Sequence, residues 1–305
     1  MARILVVTPN PAVDTTYRVA EQRVGESHRV LEVAQRPGGK GINVSRGLAA
    51  LGHESVNILP LGGATGDWIA AQLEELGLPA SITRVTGATR TCVAVTDPVA
   101  HPTVFNEPGP IVAPGEWQAL LADVRLRLAD AAMLVVSGSL PPGTDASLIT
   151  ALVDAARDAG VPSLLDVSGP SLVAAAAAGA DVVKPNAEEL LAATGAADLD
   201  AAITAAQALG ARLVVVSRGA DGLVARQGET GFSTPAVAGI HGNPTGAGDA
   251  ATAGLAAALV DGADIAEALR WAAALGAAAV LRPVAGEVDL AAFHRFLTPQ
   301  TPTSE

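Results

Sequence analysis

The chain has 305 residues, 50% of them hydrophobic and only 3% aromatic, and its 19 Lys and Arg stand against 31 Asp and Glu, a formal charge of −12. An acid excess of that size argues against nucleic acid or an anionic membrane as the main partner, so an anionic ligand must meet a local cluster of cations. Cys92 is the one cysteine, which excludes an internal disulfide and fits a reducing cytosol.

The opening MARILVVTPNPAVD carries one Arg and a short apolar run before Pro9, too little for a leader or a span, so a soluble cytoplasmic protein is expected. Apolar bursts bounded by Gly, Pro or Asp then alternate with helix-period stretches, the pattern of a mostly parallel sheet with helices on both faces. Strands are expected at 4–7, 56–59, 133–136, 163–165, 181–183 and 213–216, and helices at 42–51, 67–76, 147–159, 187–193 and 199–209, among others. The length suits one such α/β unit spanning 1–305. Its ligand crevice belongs at the carboxyl edge of the strands. Segments 15–19, 29–35, 91–96 and 103–105 break this rhythm, and their alternating β-branched residues read as a small antiparallel lid inserted within about 13–36 and 88–107. The run 298–305, TPQTPTSE, reads as disordered.

Residues with chemical promise punctuate this order. Asp14 follows the first strand, where a carboxylate serves either a turn or two neighbouring hydroxyls of a polyol. Arg29 and Arg90 fall in the expected lid strands, as solvated edge residues or as bidentate partners of a substrate phosphate. RPGGKGINVSRGL, at 36–48, gives a turn through Gly38, Gly39 and Gly41, a Lys40 that is either solvated or anion-binding, and Asn43 on the first turn of a helix. It lacks the spacing of a Walker A loop. VVSGSLPPG brings Ser139 to a strand end, and Asp166 closes LLD as a cap or a ligand of metal-bound water. VVKPNAEEL places Lys184 and Asn186 at another strand end and Glu189 on the same helical face as Asn186, suited either to capping or to Mg²⁺ held through water. Ser217, Gly219 and Gly222 form a further strand-to-turn segment.

The last feature is GNPTGAGDAA, at 242–251, running into an alanine-rich helix. Gly246, Ala247 and Gly248 bring N–H groups near an anion at the positive end of the helix dipole. Asp249 is either an acid favoured by any first helical turn or the base that accepts a proton from an attacking hydroxyl.

Together these segments closely resemble the ribokinase-like carbohydrate kinases of the phosphofructokinase B type, from the first strand to about residue 285. PGGKGINVSRGLAALG and NPTGAGD match the two family signatures; TPNPAVD, GESHR, Thr89 with Arg90, FNEPGP, SGSLPPG and VKPNAEEL look most like 1-phosphofructokinases and tagatose-6-phosphate kinases. The resemblance implies a three-layer α/β/α fold with a β lid, and ATP-dependent phosphorylation of a ketohexose phosphate, with fructose 1-phosphate ahead of tagatose 6-phosphate and fructose 6-phosphate. It implies Asp249 as base, an anion hole at 246–248, a sugar site at Asp14, Gly38, Gly39, Asn43 and Ser139, and a substrate phosphate near Arg90, Lys40 and Arg29. Lys184, Asn186, Ser217, Gly219 and Gly222 would line the ATP side, Gly248 included, with Mg²⁺ held through water by Glu189 and Asp166. It also implies a homodimer formed through the lids. Asn243, Pro244 and Thr245 before the loop, Ala250 after Asp249, and His28 depart from the family wording, and His28 is expected on the sugar side.

Overall fold

A computed structural model describes residues 3–98 and 102–298. In chain order these form β1 (Arg3–Val7), β2 (Ala12–Arg18), β3 (Glu32–Gly38), α1 (Lys40–Ala50), β4 (Ser55–Leu61), α2 (Gly63–Glu75), β5 (Ala80–Arg84), β6 (Arg90–Thr96), β7 (Thr103–Asn106) and α3 (Pro114–Leu128). There follow β8 (Ala131–Ser137), α4 (Ser147–Asp158), β9 (Ser163–Asp166), α5 (Pro170–Ala177), β10 (Val182–Val183), α6 (Ala187–Thr194), α7 (Leu199–Leu209) and β11 (Leu213–Ser217). A β12 (Leu223–Gln227) and β13 (Thr230–Thr234) hairpin precedes α8 (Ala247–Val260), α9 (Ile265–Val280) and α10 (Leu290–Leu297). The expected disordered run 298–305 lies outside the described residues apart from Thr298.

The large sheet runs β13-β12-β11-β10-β9-β8-β1-β4-β5, and its strands from β11 to β5 are parallel. Its central strands are near-continuous apolar runs because both faces are covered. In β1, Ile4 and Val6 enter a layer shared with α1, α8, α9 and α10, while Leu5 and Val7 enter the opposite layer with α3, α4, α5 and α7. Close helix contact explains the alanine and glycine of the first layer. A Cβ on Gly254 of α8 would stand 2.7 Å from the Trp271 carbonyl oxygen of α9. All six strands read from the sequence lie in this sheet. The reading lacked β5, an edge strand, and the β12–β13 hairpin, whose two-residue Gly228-Glu229 turn joins strands of mixed polarity.

A second, four-stranded sheet has the order β3-β2-β6-β7 and rises from the same carboxyl edge. It was expected to be antiparallel, but β2 and β6 at its centre run parallel, because the chain passes through β4 and β5 of the large sheet between them. Strand β3 begins at Glu32, so Arg29 lies in the loop before it and not in a strand. Among the described residues no helix is long and apolar enough to cross a membrane.

Candidate active site

Helix α8 starts without a side-chain cap. Gly246, in the left-handed region with φ 82°, turns the chain into the helix, and its positive φ is what glycine provides at lowest cost. The Ala247 N–H is taken by the Pro244 carbonyl at 3.1 Å, whereas the N–H groups of Gly246, Gly248 and Asp249 have no acceptor among the described residues. Of the three N–H groups expected to meet an anion, that of Ala247 is thus occupied, while the Asp249 amide lies open with those of Gly246 and Gly248 at the helix's positive end. Asn243, whose side-chain oxygen accepts from the Thr245 N–H and whose amide donates to the Pro283 carbonyl, braces the turn before it.

Asp249 is buried on the first turn of α8, and the Asn43 side-chain amide donates to its Oδ2 at 2.8 Å. Burial, reinforced by the nearby Asp166 charge, raises its pKa to about 7, with Asn43, Lys40 and Lys184 pulling the other way. Its neighbour Asp166, at the end of β9, is enclosed by cations. Lys40 Nζ lies 3.5 Å from Oδ1 and Lys184 Nζ 3.7 Å from Oδ2, and the Thr252 hydroxyl donates to Oδ2 at 2.9 Å. Burial alone would raise the Asp166 pKa, but Lys184 and Lys40 hold it below the ordinary carboxylate value. Lys40 in turn is raised, chiefly by Asp166, and it also reaches to 3.9 Å from Glu189 Oε1.

Above this centre the small sheet turns one face inward over a cavity of 530 Å³. Register brings Asp14 opposite Arg36 and Cys92, and Ala12 opposite Arg90 and Gly38, so alternate residues of all four strands share that face. Gly38 leaves room where a Cβ would overlap the Asp14 carboxylate. Burial raises the Asp14 pKa to about 6 against the attraction of Arg90 and Arg46. Arg90 donates to the carbonyls of Asn10 at 3.0 Å and Glu107 at 3.0 Å. The other cations on the wall have acidic partners: Arg18 pairs with Glu32, Arg36 with Glu287, and Lys40 with Asp166. Among the described residues lining the cavity, Arg90 is thus the cation fixed by neutral carbonyls alone.

Asp14, Gly39, Lys40, Asn43 and Arg90 meet in this cavity, with Gly38 beneath it. Ser139 lies exposed just past β8. Arg29 is exposed and outside the cavity wall. His28, expected on the sugar side, is also exposed, its ring nitrogen against the Arg23 backbone, because the loop it occupies leads away from the inner face. Lys184 is buried beneath the crevice, committed to Asp166. Asn186 is the N-cap of α6: its side chain accepts from the Glu189 N–H at 2.8 Å, and Glu189 Oε2 accepts from the Asn186 N–H at 2.9 Å, a reciprocal capping box. Gly219 is open to solvent, but a Cβ on Gly222 would strike the Thr234 carbonyl, so packing alone requires that glycine. Ser217 lies beside Asn186 across an isolated parallel bridge. Sequence reasoning missed Arg36, Arg46, Thr252 and Glu287. The alternation of β3 carried a signal for Arg36, but the long-range partners of the other three carried none.

The profile of the pfkB family carbohydrate kinases matches residues 7–290. Escherichia coli phosphofructokinase-2, solved in complex with potassium, is 30% identical and superposes with a TM-score of 0.92, over 97% of this chain and 98% of that one. A Thermotoga maritima protein called a possible 1-phosphofructokinase is 27% identical at a TM-score of 0.87, with 97% of both chains covered. Arabidopsis thaliana ribokinase, complexed with ribose and ATP, shares the fold at 24% identity and a TM-score of 0.76, over 97% of this chain and 99% of that one. With its ribokinase-like three-layer fold and its glycine loop ending in a buried carboxylate, the chain belongs to the pfkB family of carbohydrate kinases and is an ATP-dependent sugar kinase.

Proposed function

We propose that the chain transfers the terminal phosphoryl group of ATP to the free primary hydroxyl of a fructose monophosphate, forming fructose 1,6-bisphosphate. The observation that carries this reading is the pairing of Asp249 with Arg90 across the crevice floor. Arg90 lines the same cavity as Asn43, whose side-chain amide donates to the buried Asp249. That arrangement suits a hexose whose phosphate meets a guanidinium while its far hydroxyl meets a base. A neutral sugar would offer no anion to Arg90, whose hydrogen bonds go to carbonyls and which feels the charge of Asp14. The sequence wording favours fructose 1-phosphate as acceptor, ahead of tagatose 6-phosphate. Fructose 6-phosphate is the second reading, since E. coli phosphofructokinase-2, solved also with fructose-6-phosphate, is 30% identical.

In this reading Asp249 takes the acceptor proton as the hydroxyl oxygen attacks phosphorus, and the free N–H groups of Gly246, Gly248 and Asp249 meet the charge on the transferring group. Lys40, poised between Asp166 and Glu189, neutralises the same charge from the sugar side. Asp14 accepts from sugar hydroxyls, with Gly38, Gly39 and Ser139 nearby. The ATP side is formed by Gly219, Ser217 and the α6 start at Asn186, Lys184 acting from below through Asp166. Mg²⁺ fits if it arrives with the triphosphate and is held through water, because no three His, Cys, Asp or Glu residues cluster among the described residues. Glu189 Oε1, 3.9 Å from one ammonium group, is the better placed for that task, while the oxygens of Asp166 face two ammonium groups at 3.5 and 3.7 Å. When bound, the ion would supply charge neutralisation on the phosphates. The small sheet acts as a lid that excludes water. Its outer face exposes Val33, opposite Tyr17, and Phe105, opposite Val93, on neighbouring cross-strand rows, which supports a homodimer formed lid to lid.

The test is an ADP-release assay over fructose 1-phosphate, fructose 6-phosphate, tagatose 6-phosphate, fructose and ribose. One of the fructose monophosphates should give the highest kcat/KM. Preference for an unphosphorylated sugar would overturn the reading.

A further inference from the structure

We infer that Asn43 is the positioning residue of the catalytic base: its side-chain amide holds Asp249 so that one carboxylate oxygen, Oδ1, is left to receive the acceptor proton. The inference rests on the reading of Asp249 as the base. Asn43 was expected to hold sugar; it lines the cavity, and the nitrogen of its amide is committed to Asp249. It is buried in the first turn of α1, and its Nδ2 donates to Asp249 Oδ2 at 2.8 Å. No other side chain among the described residues hydrogen-bonds Asp249. Because an ionised carboxylate only accepts, the nitrogen end of the amide must face it.

The far end of the amide lies against Gly286. Gly286, with φ 80°, packs so closely that a Cβ there would stand 2.8 Å from Asn43 Oδ1 and 2.7 Å from Arg46 Cδ. Both ends of the bond ride on rigid helices. Helices α1 and α8 approach so nearly that a Cβ on Gly47 would lie 2.7 Å from the Ala253 Cβ. The carboxylate therefore cannot turn freely, and a base held on packed helices is the arrangement that lowers a reaction's orientational cost.

The step this serves is balanced. The acceptor O–H bond breaks and its proton passes to Asp249 Oδ1, while the oxygen forms its bond to phosphorus as the bond from phosphorus to the ADP oxygen breaks. The other charges around Asp249 are Asp166 from β9, Lys40 from α1 and Lys184 from the end of β10. None of these supplies a hydrogen bond to the carboxylate.

Two substitutions test the assignment. Asn43→Ala removes the donor, and kcat should fall about tenfold to hundredfold, the loss expected when a hydrogen bond to a charged group disappears, with the sugar KM moving less than about threefold. Asn43→Asp keeps the shape but makes the donor depend on a proton shared between two carboxyls. Between the two titration steps of that pair the introduced carboxyl donates an O–H while Asp249 stays ionised, so kcat should pass through a maximum and fall as pH rises beyond it, where the wild type stays level. A rise in sugar KM with kcat intact in Asn43→Ala would overturn the proposal. So would an Asn43→Asp profile parallel to that of the wild type. Should that variant not fold, the KM-against-kcat split in Asn43→Ala decides alone. Asp249→Asn, measured alongside, separates the two ideas: full activity there would remove the base itself, whereas an inactive Asp249→Asn with either overturning result removes only the positioning role.

Discussion

The buried charge cluster around Asp249, proposed as the phosphoryl-transfer centre, and the inner face of the small sheet are built on opposite principles. The first is a buried knot in which Asp249, Asp166, Lys40 and Lys184 satisfy or oppose one another within a few ångströms. Every charge there tunes another, so its chemistry depends on fixed geometry. The second is a wall of alternate residues along strands, where Arg90 is held by carbonyls and Asp14 by the space above Gly38. Its polar groups face the cavity instead of each other. The centre should therefore set rate, and the wall should set which sugar enters and how tightly.

The largest effect that could break this division is at the base. Asp249→Asn should lower kcat roughly 10²-fold to 10⁴-fold while both substrate KM values change little. The same variant should melt several degrees higher. A carboxyl whose pKa is raised to about 7 holds its proton more tightly when folded, so ionised Asp249 costs stability at neutral pH, and a neutral amide removes that cost. Near-normal turnover would sink the mechanism. Activity needs the ionised form, so kcat/KM should be present above about pH 7 and fall about tenfold per unit below it. A kcat/KM flat between pH 5.5 and 7.5 would mean the base is not Asp249 or that chemistry is not rate-limiting.

On the wall, Arg90→Ala should cost about 1.5–3 kcal/mol of sugar-phosphate binding, seen as a tenfold to hundredfold rise in that KM while the ATP KM barely moves. Because the guanidinium also ties Asn10 to Glu107, the variant should melt lower, which is a separate readout. A sugar-phosphate KM left unchanged would remove Arg90 from substrate binding.

The same contrast governs what could be read before any coordinates. The glycine loop at 246–248, Asp249 and the Gly38–Lys40 turn are local in sequence, since a phosphate cradle and its helix are contiguous, and the six central strands declared themselves as apolar runs. The partners of those residues did not. Nothing local ties Asn43 to Asp249, Thr252 to Asp166 or Glu287 to Arg36, because each pair meets only through the packing of distant elements. Arg29 and His28 were placed on the sugar side by their neighbourhood in sequence, yet β3 starts three residues after Arg29 and leaves both on an exposed loop. Edge strands β5 and β13 were missed because one-sided burial leaves no apolar run to find.

The smallest effect tests the border between the two regions, where Glu189 reaches toward Lys40 from the nucleotide side. Glu189 would have two tasks in one side chain: Oε2 caps α6 by accepting from the Asn186 N–H, and Oε1, 3.9 Å from Lys40 Nζ, is the oxygen proposed for water around a divalent ion. Glu189→Gln separates them. Glutamine completes a capping box as glutamate does, so the helix and the melting temperature should survive. The charge is gone, so the Mg²⁺ concentration for half-maximal activity should rise severalfold, while kcat at saturating Mg²⁺ falls little because the ion is carried mainly by the triphosphate. The sugar KM should stay where it was, since Glu189 lies outside the cavity wall. An unchanged Mg²⁺ titration would leave Glu189 as a helix cap and a neighbour of Lys40 only; a raised sugar KM instead would show that the border between centre and wall is drawn in the wrong place.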